Sequence, residues 1–212
     1  LKAGMPNLLR HVDNIQNVYG LPCVVAINRF PTDTEAELAL IESECQKLGV
    51  NVKLSEVWAK GGEGALDLAD EVMRLIEQPS ELKFAYEDGA DVADALEAVA
   101  TKVYRADGVD FTPAAKRQLA ELRENGFGNL PVCVAKTQYS FSDNAKALGA
   151  PENFRITVRE LKVSAGAHFV VALTGSVLTM PGLPKKPAAV NIDVDAEGRI
   201  TGLFLSLIHI SE

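Results

Sequence analysis

Leu21-Pro22-Cys23-Val24-Val25-Ala26-Ile27-Asn28-Arg29-Phe30-Pro31-Thr32-Asp33-Thr34-Glu35 decides how the rest of the chain is read. Residues 23–27 are apolar without alternation, the pattern of a strand covered on both faces, as in a parallel sheet flanked by helices. Pro31 biases Phe30 away from helical dihedrals, and Thr32-x-x-Glu35 reads as a capping box that opens a helix. The unit is strand, loop, helix. In open α/β sheets ligands sit in the crevice beyond the carboxyl ends of the strands, so residues 28–34 are the first candidate site. An exposed Phe30 there would offer a stacking surface to a flat ligand.

Upstream, apolar residues at helical spacing predict a helix over 7–18, stopped by Gly20. Downstream, a helix over 33–48, acidic at its start, ends at Gly49, and 50–55 alternates as a short strand. A loop over 57–64 then leads into a helix over 65–78. Strand, loop and helix have thus occurred twice, which favours a parallel α/β sheet. Composition loosens over 79–91, and helices follow over 91–104 and 112–125, the latter with Thr112 as N-cap and Pro113 at its first position. Leu130-Pro131-Val132-Cys133-Val134-Ala135-Lys136 echoes Leu21-Pro22-Cys23-Val24-Val25-Ala26-Ile27 and predicts a second buried strand.

The last third changes character. Residues 155–163 alternate polar with apolar, 168–173 are continuously apolar, and 191–200 read as a hairpin turning at Ala196 to Gly198. The expected fold is α/β, a mostly parallel sheet flanked by helices with a smaller α+β C-terminal portion, divided as 1–80 and 81–204, the latter with antiparallel strands towards its C-terminal end. Residues 205–212 follow the last strand with no turn logic and read as a sequence artefact without functional weight.

With 212 residues and 47% hydrophobic content the chain can bury a substantial core. Its net charge of −8 argues against a nucleic-acid surface. Three cysteines without CxxC spacing predict reduced, buried thiols and a cytoplasmic setting rather than a metal site. No apolar run reaches the about 18 residues of a membrane span. The chain opens inside an amphipathic helix, with its first Met at position 5, so it is expected to be a piece of a longer protein.

Lys60-Gly61-Gly62-Glu63-Gly64 before a helix has the ingredients of an anion cradle, although it lacks the Gly-Lys-Ser/Thr ending of a phosphate-binding P-loop, and the bland reading is a Gly-rich turn. Trp58, the only Trp, stands at a strand end just before it, where the alternatives are core packing and an exposed platform. Strand neighbours lie only about 5 Å apart, so Phe30 and Trp58 at successive strand ends would make a clamp for one planar ring. Asn28 belongs to the same edge. Lys136 and Ser140 follow the second buried strand and either bind phosphate or carboxylate or belong to a solvated loop. His11, His168 and His209 make no ligand spacing, and Asp33 and Glu35 read as helix-cap acids. The proline-pinned stretch with Pro181, Gly182 and Leu183 shapes a surface loop of the kind that can wall a cleft.

Five stretches together resemble the formate–tetrahydrofolate ligases, or 10-formyltetrahydrofolate synthetases. They are Asn7-Leu8-Leu9-Arg10-His11-Val12-Asp13-Asn14-Ile15, Val25-Ala26-Ile27-Asn28-Arg29-Phe30-Pro31-Thr32-Asp33-Thr34, Val57-Trp58-Ala59-Lys60-Gly61-Gly62-Glu63-Gly64, Pro131-Val132-Cys133-Val134-Ala135-Lys136-Thr137-Gln138-Tyr139-Ser140-Phe141-Ser142 and Thr179-Met180-Pro181-Gly182-Leu183-Pro184. The resemblance implies a P-loop NTPase-like fold and an ATP-dependent enzyme that joins formate to tetrahydrofolate through formyl phosphate. Mg²⁺ and a monovalent cation (K⁺ or NH₄⁺) assist, and the full-length enzyme is a homo-oligomer. It implies that Phe30 and Trp58 sandwich the pterin, with Lys136, Ser140, Pro181, Gly182 and Leu183 bordering the cleft. The family's P-loop lies nearer its N-terminus, so this chain is expected to be the C-terminal part and inactive alone. His168, where Gly is expected, and Ser176, where Asp is usual, depart from the pattern. A non-catalytic α/β module for a flat ligand, and a nucleotide-dependent enzyme that uses residues 61–64 for phosphate, are the other readings open at this point.

Overall fold

The computed structural model describes residues 1–175, 187–198 and 200–202. Ser176, the Pro181-Gly182-Leu183 loop and the 205–212 tail therefore lie outside the described residues. With Pro6 in its first turn, α1 (Met5–Asp13) runs on into a wider π turn, Asn14–Val18. β1 (Val24–Asn28) and β2 (Asn51–Ser55) then pair in parallel, Val24 opposite Asn51 through Asn28 opposite Ser55. Between them stands α2 (Glu35–Gln46). Val12, Cys45 and Val50 form the closed core of this region, with Leu8, Val25, Ile41 and Val52 packed against it.

Two expectations fail here. The capping box is Thr34 with Glu37, two residues later than predicted: the Glu37 amide donates to the Thr34 hydroxyl (3.3 Å) and the Thr34 amide to the Glu37 carboxylate (3.0 Å). The displaced residues make a turn, in which the Phe30 amide donates to the Asp33 carboxylate (2.8 Å) and the Asp33 amide to the Phe30 carbonyl (3.0 Å). Asp33 is thus a turn residue rather than a helix cap. Nor is β1 covered on both faces, since Ala26 and Asn28 are exposed in a sheet of only two strands.

The predicted loop over 57–64 is helical: α3 (Val57–Lys60) passes into a 3-10 stretch, Gly61–Ala65, and then α4 (Leu66–Ile76). α4 is fixed to β2 by Glu71, which accepts from Asn51 (2.9 Å) and from Arg74 (2.6 Å). Hydrogen bonds from Arg74 first and then Asn51 hold the Glu71 carboxyl down at about 2. Much of the apolar side of α4 nevertheless faces solvent, with Leu66 61%, Met73 58% and Ile76 63% exposed.

The second region has a mixed sheet in the order β3 (Val109–Phe111), β5 (Ile156–Ser164), β6 (Phe169–Thr174), β4 (Val132–Ala135). β3 with β5 and β4 with β6 are parallel, whereas β5 and β6 are antiparallel. The expectation of an α/β fold with parallel strands is met, and the β5–β6 pair is antiparallel, as expected of strands in the C-terminal portion. Only a 3-10 turn, Ala165–Ala167, joins β5 to β6, too short for the crossover a parallel pair needs. β4 lies at the sheet edge and Cys133 is exposed, so the echo of 21–27 is a strand but not a buried one. Cys45 alone of the three thiols is fully buried.

Packed on this sheet are α5 (Val92–Ala98), continued by a π turn Val99–Val103, and α6 (Pro113–Glu124). The Asp91 carboxylate accepts from Ala93 N–H (2.9 Å) and the Thr112 hydroxyl from Ala115 N–H (3.2 Å), the side-chain caps expected at helix starts. Leu96, Ile156, Val158, Val170 and Ala172 centre a single continuous core. β7 (Asp193–Val194) and β8 (Ile200–Thr201) form the hairpin read from the sequence.

The two regions meet along α1. The Asn14 amide donates to the Val103 carbonyl (3.0 Å), Arg10 to that of Tyr104 (3.4 Å), and Asp13 pairs with Arg105. His11 stacks on Phe141 with ring centroids 4.6 Å apart.

Candidate functional site

Parallel pairing in register brings the carboxyl ends of β1 and β2 to the same level, and Arg29 N–H to Ser55 C=O (3.0 Å) extends the ladder one residue further. From there the two chains diverge. One enters the Phe30–Asp33 turn; the other enters α3 and delivers Trp58. The Trp58 indole N–H donates to the Arg29 carbonyl at 2.7 Å, so its polar edge is fixed to the backbone immediately before Phe30. The ring is 58% exposed and Phe30 is half-buried. Neither ring is in the core: Phe30 lies two residues past the end of β1, and Trp58 lies in α3, three residues past the end of β2.

The Gly-rich stretch explains how Trp58 is held. Glu56 N–H donates to Gly64 C=O (2.9 Å), closing a loop around α3. A Cβ at Gly64 would lie 2.5 Å from the Glu56 carbonyl carbon, so only glycine permits this approach. Gly61 and Gly62, in contrast, open on solvent with nothing within 4 Å of an added Cβ. The Lys60 ammonium is engaged with Glu56 at 2.6 Å, and Glu63 is exposed. Backbone and cation thus close a turn here instead of converging on an anion. Asn28 lies exposed at the end of β1, and Arg29 pairs with Glu35 across the turn (2.5 Å).

Lys136 and Ser140 lie beyond the end of β4, and both are turned inward. The Lys136 ammonium donates to the carbonyls of Thr137 (2.9 Å), Ser142 (3.1 Å) and Ser140, and sits 5.1 Å from the centre of the Tyr104 ring. Burial lowers its pKa to about 8, against the opposing charge of Asp143. The buried Ser140 hydroxyl donates to the Ala147 carbonyl (2.5 Å) and accepts from Ser142 N–H (3.0 Å). Together they brace the 136–147 loop. Sequence reasoning missed the Gly64 approach and the Arg29 carbonyl that anchors the indole; the aromatic spacing was legible, whereas a backbone acceptor has no side-chain signature.

Among the described residues there is no cluster of three or more His, Cys, Asp or Glu side chains able to hold a metal ion, and no helix long and apolar enough to cross a membrane.

The fold and this edge define an α/β protein that presents two rings at the carboxyl ends of parallel strands. Residues 1–204 match the family model for formate–tetrahydrofolate ligase, and the chain belongs to that family. The family's reaction is the ATP-dependent joining of formate to tetrahydrofolate.

Proposed function

We propose that this chain is the folate-binding part of a formate–tetrahydrofolate ligase, with Phe30 and Trp58 stacking on the two faces of the pterin. What carries the reading is the Trp58 indole anchored to Arg29 while its face stays open to solvent beside Phe30. A ring held by one edge loses little further freedom when a flat ligand binds, which favours affinity. Stacking contributes about 0.5–1.5 kcal/mol per aromatic pair beyond the area buried. Asn28 and the Pro181-Gly182-Leu183 loop would border the cleft, while Lys136 and Ser140 would fix the neighbouring loop rather than touch the ligand.

In the proposed reaction formate attacks the γ-phosphate of ATP to give formyl phosphate, and the folate amine then attacks the formyl carbon and releases phosphate. The 212 residues hold no Gly-Lys-Ser/Thr loop, so phosphoryl transfer would rest on a P-loop NTPase-like part upstream. Mg²⁺, held largely by the ATP phosphates, and a monovalent cation (K⁺ or NH₄⁺) would supply charge neutralisation to that upstream part. The role of this part is orientation, and alone it would bind folate without ligating it. A cytoplasmic, homo-oligomeric full-length enzyme completes the proposal.

Titration of tetrahydrofolate against Trp58 fluorescence tests it. Quenching is expected, weakened about tenfold by Phe30→Ala as loss of one stacking face implies. Absence of quenching, or quenching by ATP alone, would refute the clamp.

A further inference from the structure

A second opening lies where β4 and β6 end, walled by residues of the 136–147 loop. It has a volume of about 520 Å³ and is lined by Thr137, Asp143, Asn144, Lys146, Thr157 and Arg159. β4 and β6 are parallel, so this is again the carboxyl edge of a strand pair, the place where α/β folds receive ligands. We infer that this cleft is a binding site for a multiply charged oxyanion, phosphate or carboxylate, held by Lys146 and Arg159.

The cations are presented by specific backbone devices. Val158 pairs with Thr174 and Glu160 with Leu173, so Arg159 is the extra residue of a β-bulge. A bulge re-aims the side chain it carries. Arg155, four positions earlier on the chain, is fully engaged by Asp110 (3.0 Å) and by the carbonyls of Asp107 (2.9 Å) and Val109 (3.0 Å). Arg159 has no ion pair or side-chain hydrogen bond among the described residues, and neither has the Lys146 ammonium. Lys146 is placed by a local turn in which its N–H donates to the Asn144 side-chain oxygen (3.0 Å).

The acid in the cleft does not neutralise them. The Asp143 carboxylate accepts from Thr157 N–H at 2.9 Å and faces the buried Lys136 charge. Its backbone is locked as well: a Cβ at Gly175, where φ is +53°, would lie 2.5 Å from the Asp143 carbonyl oxygen. The floor is therefore fixed and its carboxylate engaged, while two cations and the Thr157 hydroxyl remain to meet a ligand. A guanidinium fork matches an oxyanion in two parallel hydrogen bonds, and a nearby ammonium adds charge without geometric demand. In a chain of net charge −8, such a local positive edge also draws anions toward it.

The inference stands independently of the pterin clamp, and calorimetric titration of the whole chain tests it in two arms. Inorganic pyrophosphate probes phosphate, and triglutamate probes carboxylate. At low salt, dissociation constants at or below about 1 mM are expected for at least one of them. Arg159→Gln and Lys146→Gln should each weaken binding about tenfold, as expected for a lost hydrogen bond to a charged group, and the double variant should abolish it. Lys47→Gln, whose lysine pairs with Glu44 on α2, should leave the affinity unchanged. Unaltered far-UV circular dichroism shows that the variants fold. The arm that binds more tightly names the ligand class, and equal binding assigns the site to oxyanions in general. No heat with either anion, or a double variant that binds within about twofold of the parent, overturns the inference. Tetrahydrofolate quenching of Trp58, measured on the same samples, separates its failure from that of the clamp.

Discussion

Around β5 and β6, Val158, Val170 and Ala172 are completely buried, and their core continues through Leu96, Leu119 and Leu122 into α5 and α6. Around β1 and β2 the closed core shrinks to Val12, Cys45 and Val50. Trp58, Leu66, Met73, Ile76 and Phe84 stand more than half exposed there. Both regions are assembled from strand, loop and helix, yet one is closed and the other open. The open region carries the proposed pterin clamp. Apolar side chains left in solvent are the ones a ligand or an adjoining chain can cover, and sites of binding are drawn from the less consolidated parts of a fold.

Core truncation gives the largest expected contrast. Leu96→Ala, at a side chain 2% exposed, should cost about 3 kcal/mol in urea unfolding. Leu38→Ala in α2, at 8% exposed and outside the Val12, Cys45 and Val50 core, should cost about 1.5 kcal/mol. Equal losses would show that the two regions are consolidated alike, and the comparison would fall.

A sharper test sits inside the open region. Gly64→Ala forces a methyl against the Glu56 carbonyl and should destabilise by about 2 kcal/mol, as overpacking does. Because the same contact closes the loop around α3, Trp58 emission should shift to the red and folate quenching should weaken. An unchanged emission spectrum would mean that the loop does not position the indole.

In the closed region Asp91 caps α5 and reaches across to Arg123 (2.7 Å), whose hydrogen bond holds the Asp91 carboxyl below its ordinary value. Asp91→Ala should therefore cost about 1 kcal/mol near neutral pH. A depressed carboxyl pKa stabilises above the unfolded value of 3.8 and loses that stabilisation as pH falls through the folded value. The gap between parent and variant should close on acidification, and a gap independent of pH would exclude the ion pair as its source.

The smallest effect concerns the turn between β5 and β6. His168 takes a left-handed conformation at φ +56°, a region glycine enters freely, and this is the position where the family pattern leads one to expect Gly. His168→Gly should raise stability by a few tenths up to about 1 kcal/mol in thermal unfolding. A loss would mean that the imidazole contributes packing that outweighs the backbone strain.

Helix positions were legible because apolar spacing and caps are local signals; Thr112 and Pro113 open α6 where the sequence places them. The hairpin at 193–201 and the strand-end position of Phe30 and Trp58 were legible for the same reason. Local patterns misled where more than one continuation satisfied them. Thr32 and Thr34 both stand three residues before a Glu, and the Asp33 bond to Phe30 selected the second. β3, only three residues long, was invisible because alternation needs more positions than it has.

The amino-acid order by itself determined the longer helices, most of the strands and the 28-position spacing of two rings that follow the first two strands, since these depend on backbone preference and the spacing of apolar side chains. Only the tertiary structure decided which strands neighbour one another in the order β3, β5, β6, β4, that Lys136 turns inward onto carbonyls, and that Arg159 turns out at a bulge into a cleft. Those outcomes depend on which backbone groups meet across the chain. Every residue but proline carries the same amide N–H and carbonyl, so nothing in its side chain announces the partner.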